Sequence, residues 1–161
     1  MLHEDKVIQG TNVFWGEGSG FGLPLLLELD PETKTRTRKS FTGRVVIGNR
    51  VHIGNNVTIV LGGYRTTKIG DDCWINHSAN IGHDTVLGDR VVVGNGVILL
   101  GEVEVGEDTY IAAGTVVKPK VRIGERCMIG IGSIITEPVP DDALVYTKRD
   151  GVIRRNQFWE E

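Results

Sequence analysis

An aliphatic residue or a close equivalent returns at every sixth position of this chain from Ile69 to Ile135, often with a glycine directly after it. A second register of small or β-branched residues runs two positions earlier, from Thr67 to Ser133. An α-helix cannot produce this pattern, because six residues are not a whole number of its turns. Short strands joined by tight turns, with Gly or Asn in the unusual dihedrals, do produce it. The period therefore predicts an all-β fold, a parallel β-helix whose stacked coils share one narrow core.

The repeat is interrupted in its N-terminal part. The two registers recur there at Val45/Ile47, Val51/Ile53 and Val57/Ile59. The step from Ile59 to Ile69 is ten residues, so we expect residues 60–68 to bulge out of the coil. Residues 14–43 lack the pattern and are predicted to be an inserted loop, in which residues 25–41 form a hairpin that turns at Asp30-Pro31-Glu32-Thr33.

The domain organisation follows from the extent of the repeat. We predict one β-helix domain over residues 1–136, which includes the insertion at 14–43. A short proline-stiffened C-terminal tail, residues 137–161, is predicted to pack along the side of the β-helix or against a neighbouring subunit. The tail would also cover the last coil, whose open edge otherwise invites strand addition.

Composition argues against several classes of function. A net charge of −3 over 161 residues offers no broad basic face, so we expect no nucleic-acid partner. No apolar stretch follows the first five residues as in a signal peptide, and no apolar run is long enough to span a bilayer. We therefore expect a cytoplasmic protein. Its two cysteines, Cys73 and Cys127, make neither a disulfide framework nor a zinc motif.

Three segments resemble the hexapeptide-repeat acyltransferases, and most of all the β-helix domain of UDP-3-O-acylglucosamine N-acyltransferase. Residues 18–22 (GSGFG) resemble the glycine–phenylalanine loop of that family. Residues 43–54 (GRVVIGNRVHIG) resemble the coil that follows the loop, and the ten-residue step after Ile59 is shared. Residues 81–89 (IGHDTVLGD) resemble the motif around the family's catalytic histidine, which also occurs in acetyl-CoA-dependent N-acetyltransferases of nucleotide amino sugars.

The resemblance implies three hexapeptides per coil and a left-handed, triangular prism. Cys73 and Cys127, 127 − 73 = 54 residues apart, then lie three coils of eighteen residues apart on one face. At a strand spacing of about 4.8 Å, the two sulfurs are roughly 14 Å apart, too far for a disulfide. We interpret both cysteines as core residues.

The resemblance also implies roles for individual residues. His83 is the expected general base and should point out of the prism, with Asp84 or another carboxylate orienting its ring, although neighbours in an extended strand point to opposite sides. A glycine amide, that of Gly101, is expected to bind the oxyanion. Phe21, Asn76 and His77 are expected to contact the acceptor. The basic residues expected to contact CoA phosphates, if they are not simply surface charge, are Lys118, Lys120, Arg122, Lys148 and Arg149.

The expected reaction is transfer of an acetyl or other short acyl group from CoA to the amino group of a nucleotide-linked sugar. Compared with the lipid A enzyme, we expect no uridine-binding domain before the β-helix and no C-terminal helices after it. A second family histidine is replaced near Lys120, and residues 138–155 resemble the ending of small acetyltransferases. These departures favour acyl-CoA over acyl carrier protein as donor. The family implies a homotrimer with three sites at subunit interfaces and no metal.

Two alternatives remain open at this point. His52 and His77 suggest one alternative, a γ-carbonic-anhydrase-like zinc enzyme. The paired histidines of that family lie five positions apart, however, whereas His77 and His83 are 83 − 77 = 6 positions apart. A non-catalytic β-helix binding or structural protein would need no histidine at an interface.

The basic residues at 34–39 are either an exposed strand or contacts for a phosphate. The three tryptophans, which either stack on a base or pack subunits together, are Trp15, Trp74 and Trp159.

Overall fold

The computed structural model describes residues 6–22 and 43–146 in full, and residues 27–29, 36–38 and 152–155 by their backbone. The chain folds as a left-handed parallel β-helix of six triangular coils, with three parallel sheets as the faces of the prism. Six strands form the first face: β1 (Val7–Gln9), β6 (Val45–Ile47), β9 (Thr67–Ile69), β12 (Val86–Leu87), β15 (Glu104–Val105) and β18 (Arg122–Ile123).

The second face has eight strands and the third has six. The second face contains β2 (Phe14–Trp15), β7 (His52–Ile53), β10 (Trp74–Ile75), β13 (Val92–Val93), β16 (Tyr110–Ile111), β19 (Met128–Ile129), β21 (Ala143–Tyr146) and β22 (Val152–Arg155). The third face contains β3 (Gly20–Gly22), β8 (Thr58–Val60), β11 (Asn80–Ile81), β14 (Ile98–Leu99), β17 (Val116–Val117) and β20 (Ile134–Ile135). A separate hairpin pairs β4 (Leu27–Leu29) with β5 (Arg36–Arg38).

The two sequence registers line the interior, as predicted. Every position of the aliphatic series from Ile69 to Ile135 and of the small series from Thr67 to Ser133 is buried. Cys73 and Cys127 are buried free thiols within these series, and burial raises the pKa of Cys73 to about 12. Both cysteines therefore serve as core residues.

Three corners separate the faces, and we number each corner after the face that leads into it. Trp74 pairs with Val92, so one coil measures 92 − 74 = 18 residues. Val45 pairs with Thr67, which makes the coil containing the ten-residue step 22 residues long. The extra residues lie between β8 and β9, at the third corner, and the insertion between β3 and β6 lies at the same corner one coil earlier.

The insertion is shorter than predicted. Phe14–Trp15 pairs with β7, and Gly20–Gly22 pairs with β8, so residues 14–22 complete the first coil instead of leaving it. Their sequence conceals this placement because Trp15 and Phe21 replace the usual aliphatic residues. The hairpin was predicted correctly in its antiparallel pairing, while its predicted turn, residues 30–33, lies outside the described residues.

The C-terminal end extends the prism beyond residue 136. Val139 forms a parallel bridge with Ile123, and Ala143–Tyr146 stacks in parallel on β19. The backbone of Val152–Arg155 then pairs antiparallel with β21. The tail was predicted to pack along the side of the prism or against a neighbouring subunit and to cover the last coil. Its described part does cover the last coil, by continuing the stack with inward residues at Val139 and Val145.

Candidate active site at the third corner

Turn side chains at the first two corners hydrogen-bond from coil to coil. The amide of Asn49 donates to Asp71 Oδ1 (2.8 Å), and the amide of Asp71 donates to Asp89 Oδ1 (2.8 Å). At the second corner, the amide of Asn55 donates to Nδ1 of His77 (2.8 Å). Each acceptor occupies the first turn position, one coil after its donor. This ladder satisfies backbone amides that the turns would otherwise leave unpaired.

The ladder covers only part of the prism: within the described residues, the amides of Asp89 and His77 donate no such bond, and the third corner lacks it at the level of His83 as well. The turn positions after His83 belong to Gly101 and Pro119, neither of which has a side chain that accepts a hydrogen bond. Within the described residues, the amides of His83 and Gly101 donate no hydrogen bond. Two adjacent levels of this corner therefore present amide donors that the scaffold does not use.

His83 is held at this corner by its neighbour. Its Nδ1 lies 2.9 Å from Oδ2 of Asp84, and its side chain is 27% exposed. The sequence left open whether Asp84 orients the His83 ring, because neighbours in a strand point to opposite sides. The two residues lie in a turn, however, where Asp84 has φ of 59°, and that left-handed conformation brings the carboxylate back to the imidazole. Because a carboxylate only accepts, Nδ1 carries the proton and Nε2 has the lone pair in the neutral ring.

Asp84 also anchors the loop of the ten-residue step. Its side chain is fully buried, and its oxygens accept hydrogen bonds from the amides of Gly63 (2.8 Å), Tyr64 (3.1 Å) and Arg65 (2.6 Å). Burial disfavours the charged carboxylate, but the hydrogen bonds from His83 and the three amides outweigh it and lower the pKa of Asp84 below its ordinary value. The group therefore remains an anion that stabilises a positive charge on His83.

Gly101 makes room for the imidazole. A Cβ at residue 101 would lie 2.6 Å from Cε1 and 2.9 Å from Cδ2 of His83, and closer still to Nε2. The ring therefore lies directly against the backbone of residue 101, at the level of the unused amide. Any larger residue would displace it.

Phe21 does not lie at this corner. It pairs with Ile59 in the inward register of β3 and packs edge-to-face on Trp15, with ring centroids 5.1 Å apart. Its role as an acceptor contact stays a prediction; within the single chain, Phe21 and Trp15 are partly buried and pack against the core at its first coil.

Asn76 and His77 lie at the second corner, on the other side of β11 from His83. The amide group of Asn76 donates to the carbonyl of Val93 (3.0 Å), and Nδ1 of His77 accepts the amide of Asn55. His52, the other histidine of the zinc alternative, is stacked between Phe14 and Trp74, 4.7 and 4.2 Å from their ring centroids. Within the described residues, no three His, Cys, Asp or Glu side chains are grouped as metal ligands. A single chain does not bring these side chains to His83.

The predicted CoA contacts flank the third corner two coils after His83. Lys118 follows β17, Lys120 occupies the turn, and Arg122 begins β18. Nζ of Lys120 lies 3.8 Å from Oε1 of Glu102, and Arg122 pairs with Glu104 along the strands. Lys148, Arg149, Trp159, Lys34 and Lys39 lie outside the described residues.

Sequence reasoning did not predict that the loop at residues 61–66 lies at the third corner. The ten-residue step predicted a bulge there but gave no reason to place it beside His83. The pairing of β8 with β11 and of β9 with β12 stacks this loop one level before the His83 turn. Arg65, which was not singled out, thereby becomes a neighbour of the candidate base.

The chain matches known proteins over its repeats. The family described as bacterial transferase hexapeptide (six repeats) matches residues 66–101 and 102–137. A serine acetyltransferase of Mycobacterium tuberculosis is 40% identical over 73 residues, which cover 40% of this chain and 31% of the relative. A UDP-3-O-acylglucosamine N-acyltransferase of Leptospira biflexa is 31% identical over 94 residues, which cover 58% of this chain and 24% of the relative.

The fold is shared with a solved structure. The UDP-N-acetylglucosamine acyltransferase of Bacteroides fragilis superimposes with a TM-score of 0.73 at 19% identity, covering 94% of this chain and 71% of that one. The part of the chain that the structure describes contains no helix with the length and apolar character needed to cross a bilayer. Residues 66–137 of this chain thus match the bacterial transferase hexapeptide repeats, and the chain folds as a left-handed β-helix.

Proposed function

We propose that this protein is an acyltransferase that moves an acetyl or other short acyl group from CoA to the amino group of a nucleotide-linked sugar. The observation that carries the proposal is the imidazole of His83, paired through Nδ1 with Asp84 and lying against Gly101. An acyl transfer needs a base and a donor for the oxyanion close together, and this corner offers both. The names of the two curated relatives, both acyl-group transferases, support the reaction class.

In the proposed reaction, His83 first accepts a proton and then returns it. The sugar nitrogen attacks the thioester carbonyl carbon, a C–N bond forms, and the proton of the amine passes to Nε2 of His83. The amide of Gly101 donates to the oxyanion of the tetrahedral intermediate, while Asp84 stabilises the imidazolium. The intermediate then collapses, the C–S bond breaks, and the leaving sulfur takes the proton from His83.

We propose that the acyl donor, CoA, binds along the coils that follow His83. Lys118, Lys120 and Arg122 lie on this side, and we propose them as contacts for the anionic groups of CoA. Asn76 and His77 belong to the proposal as acceptor contacts only if a neighbouring chain brings a second corner to His83.

A homotrimer is part of the proposal. The outward side chains of the third face include Ile98 and Ile134, 39% and 72% exposed in the single chain, and this face ends at the His83 turn. A neighbouring chain packed on this strip would form a crevice around His83 that excludes water. Sedimentation equilibrium tests this assembly: we expect three times the chain mass of 17.6 kDa, and a monomer would contradict it.

The function is tested by His83→Ala, assayed with acetyl-CoA and a panel of UDP- and GDP-linked amino sugars. We expect kcat to fall by about 10²–10⁴-fold, as for loss of a general base, with CoA binding retained. His52→Ala is the control, because it removes an imidazole that stacks between Phe14 and Trp74 away from the third corner, and its turnover should stay within about twofold. Equal loss in both variants, or near-normal turnover by His83→Ala, would contradict the role of His83. Mass spectrometry of the product distinguishes acylation on nitrogen from acylation on oxygen.

A further inference from the structure

Arg65 is linked to the candidate base through one carboxylate. Its backbone amide donates to Oδ1 of Asp84 (2.6 Å), while the other oxygen of Asp84 pairs with His83. Gly62 and Gly43 fix the tight path of the loop, since a Cβ at either position would overlap the carbonyl oxygen of Arg65. The backbone of Arg65 is therefore positioned as firmly as the catalytic pair itself.

The side chain of Arg65 crosses the level of His83. Its guanidinium lies 3.8 Å from Oε2 of Glu102 and 3.6 Å from Oε1 of Glu104. Glu102 follows Asp84 by one coil at the same turn position, whereas the loop of Arg65 precedes Asp84 by one coil. The side chain thus extends from the level before Asp84 toward the level after it, along the same corner as His83.

The guanidinium of Arg65 remains available to a ligand. Its two ion pairs are longer than hydrogen bonds, and within the described residues its side chain donates none. Arg50 is equally exposed, at 55%, but it binds Asp72 through two hydrogen bonds of 2.6 and 2.7 Å. Glu102 and Glu104 hold the Arg65 side chain at ion-pair distance, but they accept no hydrogen bond from its guanidinium. The planar group therefore keeps N–H donors whose geometry suits a phosphate.

We propose that Arg65 is a specificity-determining residue that binds the phosphate attached to the acceptor sugar. This inference rests on the proposed function, since the acceptor must be nucleotide-linked. Four bonds separate a 2-amino nitrogen from the phosphorus of a sugar 1-phosphate, a distance on the order of 5 Å. This is about one coil spacing, and the loop of Arg65 stacks one coil before the His83 turn. The sulfur of CoA is about a dozen bonds from its nearest phosphorus, on the order of 15 Å in an extended arm, so a donor phosphate would lie beyond Arg65.

The experiment compares Arg65→Ala and Arg65→Lys with the control Arg50→Ala, which removes an equally exposed arginine at another corner. For a nucleotide-linked amino sugar, we expect Arg65→Ala to raise KM by about tenfold or more with kcat little changed. The KM of Arg65→Lys should be intermediate, because lysine keeps the positive charge but lacks the paired N–H donors of the guanidinium. The KM for acetyl-CoA, and the kinetics with the same amino sugar lacking phosphate, should not change. Arg50→Ala should match the wild-type chain.

Three results would overturn the inference. An equal rise in KM for the phosphorylated and unphosphorylated acceptors would mean that Arg65 only supports the loop, and a rise confined to acetyl-CoA would assign it to the donor. An unchanged KM would remove it from recognition altogether. Calorimetric titration of UDP, GDP and CoA into the wild-type and Arg65→Ala chains separates this inference from the proposed reaction. Arg65-dependent binding of UDP or GDP without acyl transfer would retain the site and refute the reaction, whereas transfer without that dependence would do the opposite.

Discussion

At the second corner, Nδ1 of His77 accepts the amide of Asn55, whereas at the third corner Nδ1 of His83 faces the carboxylate of Asp84. The two histidines occupy the same position of consecutive six-residue units, yet their neutral rings are opposite tautomers. Nε2 of His77 carries the proton and is a donor, while Nε2 of His83 holds a lone pair and is a base.

The difference originates in the neighbouring coils. At the second corner, Asn55 supplies an amide one coil earlier, and the histidine continues the hydrogen-bond ladder of the scaffold. At the third corner, the previous level is the loop at 61–66, which binds Asp84 and leaves the imidazole outside the ladder. The contrast between the two histidines therefore comes from the level that precedes each of them: a turn amide before His77, and the loop at 61–66 before His83.

Asp84→Asn should make the two corners alike. A neutral amide no longer favours the imidazolium and gives no strong preference for the proton on Nδ1, so we expect kcat to fall by about 10²–10³-fold. Steady-state kinetics with the proposed substrates measure this effect. Activity within twofold of the wild-type chain would show that the pairing of Asp84 with His83 does not contribute.

The same variant has a pH-dependent effect on stability. Because folding lowers the pKa of Asp84, its ionised form adds stability above the ordinary value of 3.8, and this contribution disappears as pH falls through the lower folded value. The wild-type chain should therefore be more stable than Asp84→Asn at neutral pH, by about 2 kcal/mol, and the difference should shrink below about pH 4. Thermal unfolding of both chains at neutral and acid pH measures the difference, and a difference independent of pH would contradict the assignment.

Gly101→Ala should move the imidazole without unfolding the corner. The new Cβ would overlap the His83 ring, whose side chain can swing away, so we expect about a 10²-fold loss of kcat and little change in stability. Gly20→Ala is the matched control, because nothing lies within 4 Å of a Cβ at that position. Comparable losses in the two variants would show a general effect of glycine replacement, and normal activity of Gly101→Ala would show that ring position is not critical.

The six-residue period alone predicted the parallel β-helix and its inward residues, whereas the three units per coil and the left hand came from the resemblance. The six-residue period specifies which residues of each unit face inward, and Ile75 and Cys73 are buried as it requires. The prediction failed where large residues replace small ones: Trp15 and Phe21 pack against the core at its first coil, and their size concealed that coil. End coils have a different environment from internal coils, so their residues do not follow the period.

The candidate site was only partly predictable. The His83–Asp84 motif was recognised from the resemblance, but its geometry depends on a left-handed turn at Asp84 that a strand pattern does not reveal. The position of Arg65 depends on how a 22-residue coil stacks on one of 18, which brings the loop to the same corner as His83. Local sequence specifies each unit, whereas the juxtaposition of Arg65, Asp84 and Gly101 arises from stacking.

His77→Ala and His77→Asn test the other half of the comparison, with the smallest expected effect. Alanine removes the acceptor of the Asn55 amide and should lower the free energy of unfolding by up to about 1 kcal/mol. Asparagine should restore most of it, because Asn55 itself accepts the amide of Glu17 (3.0 Å) from the same position one coil earlier. Thermal unfolding of the three chains measures the order, which should be wild type, then His77→Asn, then His77→Ala. If His77→Asn were no more stable than His77→Ala, the imidazole would contribute by something other than the ladder, and the contrast between the two corners would lose its structural basis.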